Sequence, residues 1–282
     1  MRDLLTRYLW LPLSVTMTLP LLGAGWKLVW SDEFDAKGLP DPSKWIHEVG
    51  FVRNQELQYY TKDRLENVRQ ENGLLVIEGR KEKFPNPGFV AGTDAADTHR
   101  GREFADYTAG SINTFTKQSF LYGRIEMRAK IPHGQGMWPA FWMLGTNHNT
   151  VGWPKCGEID IMEFVGKDPD HIHATVHYWK DGKHGSQGGK LQTPAPYDAF
   201  HLYAVEWFPD RMDFYFDQMK YFTFPLDTLG TGSDNPFRKP HFILLNLAMG
   251  GSWGGRIDDS MLPQPYLIDY VLAYQNEASG TR

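Results

Sequence analysis

The chain has one cysteine, Cys156, so no disulfide can form within it and a disulfide-stapled scaffold is excluded. A thiol nucleophile would need a histidine partner that the sequence does not place beside Cys156, which reads as a small neutral residue near a strand start. Positive charge is also scarce. There are 29 basic residues against 34 acidic ones, a net charge of -5. That balance argues against nucleic acid as the partner, because phosphate binding needs a basic face. No run of like charges marks a membrane-surface segment. No long segment keeps a helical period, and the sequence has no internal repeat, low-complexity linker or second domain.

Long apolar runs are missing as well. The longest apolar stretch, residues 9–22, is short of the about 20 residues a spanning helix needs, and Pro12 and Pro20 interrupt it. Arg2 and Arg7 give it a positive start, and Gly23, Ala24 and Gly25 offer small residues for cleavage. Residues 1–25 therefore read as a signal peptide, which makes the protein an exported one with no membrane attachment after cleavage. The remaining segment, 26–282, keeps 27 basic and 33 acidic residues, a net charge of -6.

Aromatic residues are abundant at 14%, with 10 Trp, 13 Tyr and 17 Phe. A β core absorbs part of that load, and the surplus suits flat apolar ligands such as sugar rings. Strand patterns dominate the rest. Over residues 122–131, Arg124, Glu126, Arg128 and Lys130 alternate with Ile125, Met127, Ala129 and Ile131, the pattern of a half-buried antiparallel strand. Met212, Phe214 and Phe216 alternate with Asp213 and Asp217. Further strands are expected at residues 74–78, 110–114, 172–178, 200–207, 242–247 and 266–274. Gly and Pro, 28 and 18 of them, punctuate these runs. The pattern predicts an all-β domain, a two-sheet sandwich or jelly roll. Residues 84–106 are expected to form a long surface loop.

The most informative segment is Gly157-Glu158-Ile159-Asp160-Ile161-Met162-Glu163-Phe164. Residues two apart on a strand share a face, so Glu158 and Asp160 point the same way. Glu163, five positions from Glu158, would point the other way on a regular strand. A β-bulge near Ile161–Met162 would return it to the face of Glu158. Three clustered carboxylates cannot all ionise cheaply, so at least one holds a proton at raised pKa. A neutral acid beside an ionised carboxylate is what glycosidic bond cleavage requires. Residues alone do not say which glutamate does which job. A calcium loop would want Asp, Asn and Gly in a flexible loop instead. His171, His173 and His177 share a strand face at a spacing that could bind zinc, but no carboxylate or cysteine completes the set locally. Trp138 and Trp142, four apart, share a face and belong either to the core or to a cleft.

The run Glu158-Ile159-Asp160-Ile161-Met162-Glu163 resembles the active-site signature of glycoside hydrolase family 16, in the six-residue form of its laminarinase branch. Trp30-Ser31-Asp32-Glu33-Phe34, Asn54-Gln55-Glu56, Tyr122-Gly123-Arg124-Ile125-Glu126, Trp138-Pro139-Ala140-Phe141-Trp142 and Leu245-Asn246-Leu247-Ala248-Met249-Gly250-Gly251 resemble further family segments in family order. The resemblance implies a concanavalin-like jelly roll over 26–282 with a concave substrate cleft. It implies Glu158 as nucleophile, Glu163 as acid/base and Asp160 tuning their protonation. It also implies sugar contacts from Asn54, Glu56, Trp138, Trp142, His177 and a loop residue, Trp253. A structural calcium ion on the convex side would take ligands from Glu33, Gly73 and Asp269. The sequence departs from the family where Gly254 and Gly255 follow Trp253 in place of Pro-Gly, and at Leu272, where the family usually has Arg. The implied protein is a monomeric, retaining endo-β-1,3-glucanase needing no cofactor for its chemistry. Enzymes on mixed-linkage glucan, agarose or carrageenan, and transglycosylases, remain alternatives that products would separate. A non-catalytic β-glucan-binding protein would lack the two glutamates.

Overall fold

The computed structural model describes residues 25–94, 96, 97 and 99–277. The expected signal peptide, residues 1–25, lies outside these but for Gly25. Seventeen strands follow in chain order: β1 Trp26–Asp32, β2 Ile46–His47, β3 Gln58–Tyr60, β4 Val68–Glu71, β5 Leu74–Pro85, β6 Phe104–Ala109, β7 Ser111–Asn113, β8 Gly123–Lys130 and β9 Met137–Gly145. Then come β10 Glu158–Glu163, β11 His171–Lys180, β12 Lys183–Gln192, β13 His201–Trp207, β14 Arg211–Phe216, β15 Met219–Pro225, β16 His241–Met249 and β17 Gln264–Asn276. The helices are single turns, α1 His148–Val151 and α2 Gly251–Gly254 among them.

The strands form two sheets. The outer sheet runs β15-β14-β13-β8-β17-β5-β6-β3, with β1 added on β17 and β4 on β5. The inner sheet runs β12-β11-β10-β9-β16-β7-β2. Consecutive strands often lie far apart in these orders, as a jelly roll requires. The alternating residues read from the sequence meet between the sheets. Ile125, Met127 and Ala129 of β8 and Met212 and Phe214 of β14 share one buried cluster with Phe141 and Met143 of β9 and with Ile243, Leu245 and Leu247 of β16. The opposite face of the inner sheet is left for a ligand.

Two expectations are corrected. The polar side of β8 is solvated only toward its end: Arg124 is 7% exposed and Glu126 is fully buried, whereas the Arg128 side chain is 43% exposed. The start of this face is roofed by side chains from neighbouring strands. Arg124 Nε donates to Glu126 at 2.7 Å and Nη1 to Glu206 at 3.0 Å, and the Tyr215 hydroxyl donates to Glu206 at 2.8 Å. Burial raises the pKa of Glu126, and the Arg124 guanidinium opposes that rise. The long loop is also shorter than 84–106, because β5 runs to Pro85 and β6 starts at Phe104. Asn86 ties its two ends, donating to the carbonyls of His99 at 2.9 Å and Arg102 at 2.8 Å.

An ion pair this buried is costly to break one-sidedly. Arg124→Met should destabilise the fold by about 3–5 kcal/mol in urea denaturation, and Arg124→Met with Glu126→Leu should recover most of that loss. A double variant as unstable as the single one would show that Glu126 is not the source of the cost.

Candidate active site

The site is built on β10, which is entered through Gly157 at φ +78°, a left-handed conformation that suits glycine. A Cβ there would also lie 2.8 Å from Pro236 Cβ. From this start the strand pairs with β9 as Glu158↔Leu144, Ile159↔Met143, Asp160↔Trp142, and then, after a skipped residue, Met162↔Phe141 and Glu163↔Ala140. The skipped residue is Ile161. Pairing with β11 shows the same irregularity, Asp160 facing Thr175 and Glu163 facing His173. The expected bulge is therefore present. Ile159, Ile161 and Met162 are all buried in the core, and the three carboxylates lie opposite Leu144, Trp142 and Ala140 on the other face.

That face floors a cleft of about 690 Å³, lined by Glu158, Asp160 and Glu163 on one side and reaching across Trp142 and Asn246 to Ile46. It crosses the sheet from β10 to β2. Its volume suits a small-molecule or oligosaccharide segment.

Each carboxylate has a distinct environment. Burial pushes Glu158 up to about 7, opposed by the Arg53 guanidinium and by hydrogen bonds from Trp153 and Asp160. The Trp153 indole donates to Glu158 Oε2 at 2.9 Å. Burial also pushes Glu163 up to about 7, opposed by one hydrogen bond from Trp138, whose Nε1 lies 3.0 Å from Oε1, while the charge of Glu158 pushes it further up. Asp160, 3% exposed, is held well above the usual carboxylate range by burial and then by the charges of Glu158 and Glu163. These causes all favour the protonated form of Asp160, whose carboxyl neighbours that of Glu158. Of the remaining pair, Glu158 has more donors around it than Glu163, a surrounding that favours the charged form at Glu158, and the two titrate as one coupled group.

His177 pairs across from Glu158, with Nε2 3.4 Å from Asp160 Oδ2. Burial and then His184 push its pKa down to about 4, so it is neutral near pH 7. The three histidines are not brought together. His171 and His173 turn to the Asp168 carboxylate, at 2.6 and 3.6 Å, which also receives Lys190 at 2.7 Å. Among the described residues, the side-chain group able to surround a metal ion is Glu158, Asp160 and His177.

Asn54 and Glu56 both line the cleft. Glu56 is buried and accepts from Gln58 at 2.6 Å, Tyr60 at 3.1 Å and Asn54 at 3.4 Å. Trp138 and Trp142 line it too, although only 8% and 7% exposed. The Trp142 indole donates to Asn246 at 2.7 Å, so both of the alternatives weighed for this pair hold in part. Trp253 sits in the helical turn α2, not in an open loop, edge-on to Trp138 with ring centroids 5.3 Å apart. It reaches the cleft through Trp138.

Arg53 and Trp153 escaped the sequence reading. Arg53 lies 5.0 Å over the Trp142 ring and pairs with Glu48. It adjoins Asn54, and Trp153 stands five residues before Glu158, so proximity to the motifs was the available signal. Cys156 is buried and its thiol is pushed up to about 11, chiefly by burial, which leaves it inert at neutral pH.

A jelly roll whose open sheet carries paired glutamates of raised pKa in a cleft has the features of the glycoside hydrolase class. Residues 57–271 match Glycosyl hydrolases family 16, and the chain belongs to that family. A beta-glucanase of Rhodothermus marinus is 42% identical over 284 aligned residues, covering 93% of this chain and 92% of that one. The solved laminarinase structure from Rhodothermus marinus superposes with a TM-score of 0.76 at 40% identity, over 89% of this chain and 98% of that one. A solved structure from work on endo-acting O-glycanases of the human gut microbiota superposes with a TM-score of 0.84 at 38% identity, covering 92% and 94%.

Trp138→Phe removes the one donor to Glu163. The carboxyl of Glu163 should then titrate about one pH unit or more higher, followed by carbon NMR, because a hydrogen bond to a charged group is worth about 1.5–3 kcal/mol. An unmoved titration would show that the indole does not stabilise the charged form.

Proposed function

We propose that this protein is an exported, monomeric endo-β-1,3-glucanase that hydrolyses with retention through a covalent glycosyl-enzyme. The observation that carries the reading is the single face of β10, where Glu158, Asp160 and Glu163 share one cleft and more donors surround Glu158 than Glu163. The names of the relatives, a beta-glucanase and a glucan endo-1,3-beta-glucosidase of Cryptopygus antarcticus, support the substrate class. The leader read at residues 1–25 supports export.

In this reading the ionised Glu158 attacks the anomeric carbon while Glu163 gives its proton to the departing glycosidic oxygen. The bond to the leaving chain breaks as the Glu158 ester forms. Glu163, now ionised, takes a proton from water, and the hydroxide so formed displaces Glu158. Asp160 donates to Glu158 throughout, which steadies it as leaving group in the second step. Neutral His177 keeps Asp160 in place. Arg53, Asn54, Glu56, Trp138 and Trp142 hold sugar units along the cleft, and Trp253 braces Trp138.

Family 16 enzymes retain anomeric configuration. Laminarin should therefore yield a ladder of short oligomers early in the reaction, with the new reducing end appearing first as the β-anomer by proton NMR. Glu158→Ala should lower kcat by a factor on the order of 10⁴–10⁶. Glucose as sole early product, or a first α-anomer, would sink the assignment. The likeness to the gut O-glycanase structure favours a second reading, an endo-glycosidase on mucin-type glycans. Incubation with laminarin, lichenan, curdlan, agarose and mucin O-glycans, with the products identified, separates the two.

We also propose a structural calcium ion on the convex side. Glu33 is raised by burial and then by the charges of Asp35, Asp269 and Asp32, an acidic group that a hard cation would relieve. A Cβ at Gly73 would lie 3.9 Å from Asp35 Oδ1, which brings the Gly73 backbone to the same group, although Asp269 also bonds to Arg128. Glu33, Asp269 and the Gly73 carbonyl would hold the ion, which would supply charge neutralisation and no chemistry. Calcium at a hundredfold excess over Kd should raise the Tm by about 5–10 °C. A melting curve unmoved by calcium and by EDTA would refute the site.

A further inference from the structure

Among the described residues, the exposed tryptophans are Trp153 and Trp179, at 54% and 41%. Neither belongs to any of the buried clusters. Both stand on the same side of the molecule as the cleft. Trp179 follows His177 by two residues on β11, on the face of β11 opposite the buried Val176 and Tyr178. Its partner across the ladder is His184 on the edge strand β12.

Trp153, His184 and His177 touch one another, and Trp179 stands beside His184 across the ladder. The His184 ring stacks on His177, with centroids 5.2 Å apart and planes at 26°, and the two share a hydrogen bond of 2.9 Å between Nδ1 of His177 and Nε2 of His184. The Trp153 ring lies 4.8 Å from that of His184. Lys155 Nζ sits 5.5 Å over the ring of Trp179. Trp153 also lines the 690 Å³ cleft and donates to Glu158, whereas Trp179 and His184 lie beyond the cleft wall. The row thus continues the cleft past β10, across β11 and β12, to the sheet edge.

Large indoles in water, one in the turn before β10 and one on a surface strand, bring no core packing. Flat rings with a polar rim, flanked by imidazole and ammonium donors, match the apolar face and hydroxyl edge of a sugar ring. We propose that Trp153, His184 and Trp179 form an aromatic shelf that binds the sugar units of the polysaccharide beyond those seated in the cleft. Its occupant is the continuation of the same substrate chain, because Trp153 borders both regions. The shelf rests on the glucanase reading for the identity of that chain. It makes the enzyme favour long substrates over short ones.

The test uses the full chain with Glu158→Gln to prevent turnover, titrated with laminaritriose and laminarihexaose by calorimetry. Adding Trp179→Ala should weaken hexaose binding about tenfold more than triose binding. Trp179→Tyr, which keeps a stacking ring, should recover most of that loss. On the otherwise wild-type enzyme, Trp179→Ala should likewise lower the ratio of kcat/KM on laminarin to that on laminaritetraose. Equal losses on long and short ligands, or none, would overturn the shelf. If the substrate panel selects another polymer, the glucanase reading falls, and the same length comparison with that polymer's oligomers decides the shelf.

Discussion

Six residues of strand can present three carboxylates to one side only if one extra residue is accommodated between them. In β10 that residue is Ile161, and the irregularity lets Ile161 and Met162, neighbours in sequence, both enter the core. On a regular strand one of them would face the cleft and Glu163 would face the core. The apolar side of the motif therefore fixes the polar side: burying two adjacent large side chains is what turns Glu163 back beside Glu158. Gly157 before the strand, held against Pro236 and His241, fixes where the strand begins.

The same burial sets the chemistry. Three carboxyls brought into one partly dehydrated place raise one another's pKa values, and the neighbouring donors decide where the charge goes. Glu158 faces Arg53, the Trp153 indole and the Asp160 proton, while Glu163 has the Trp138 indole alone. The two glutamates differ in this surrounding and not in their own chemistry. Neutral His177 matters for what it withholds, since a cation there would draw the proton off Asp160.

Behind the site, the outer sheet is stiffened by polar residues as well as apolar ones. Arg124, Glu126, Glu206 and Tyr215 form a buried network on the far side of β8, while Ile125 and Met127 of the same strand pack toward the inner sheet. The catalytic strand thus rests on a scaffold tied on both faces, which holds its side chains in fixed geometry. The sequence placed the apolar side of this strand and missed the cover over Arg124 and Glu126, because alternation shows which residues share a face and not what covers that face.

Much was legible before any coordinates. The strand runs read at 122–131, 172–178, 200–207, 242–247 and 266–274 became β8, β11, β13, β16 and β17, since an apolar or alternating run is a local consequence of facing a core. The bulge was legible because its residues adjoin in sequence. β12 was not legible: Lys183–Gln192 is polar and glycine-rich, and pairing with β11 rather than its own pattern makes it a strand. The parting of the three histidines, two to Asp168 and one to Asp160, was equally hidden, as was the placing of Arg53 over Trp142. By itself, then, the sequence determined the strand faces, the acidic motif and the family resemblance, all of which depend on residues near one another in the chain. Only the tertiary structure decided what surrounds each glutamate and how far the cleft extends, because burial and electrostatic partners come from strands that meet only when the sheets close.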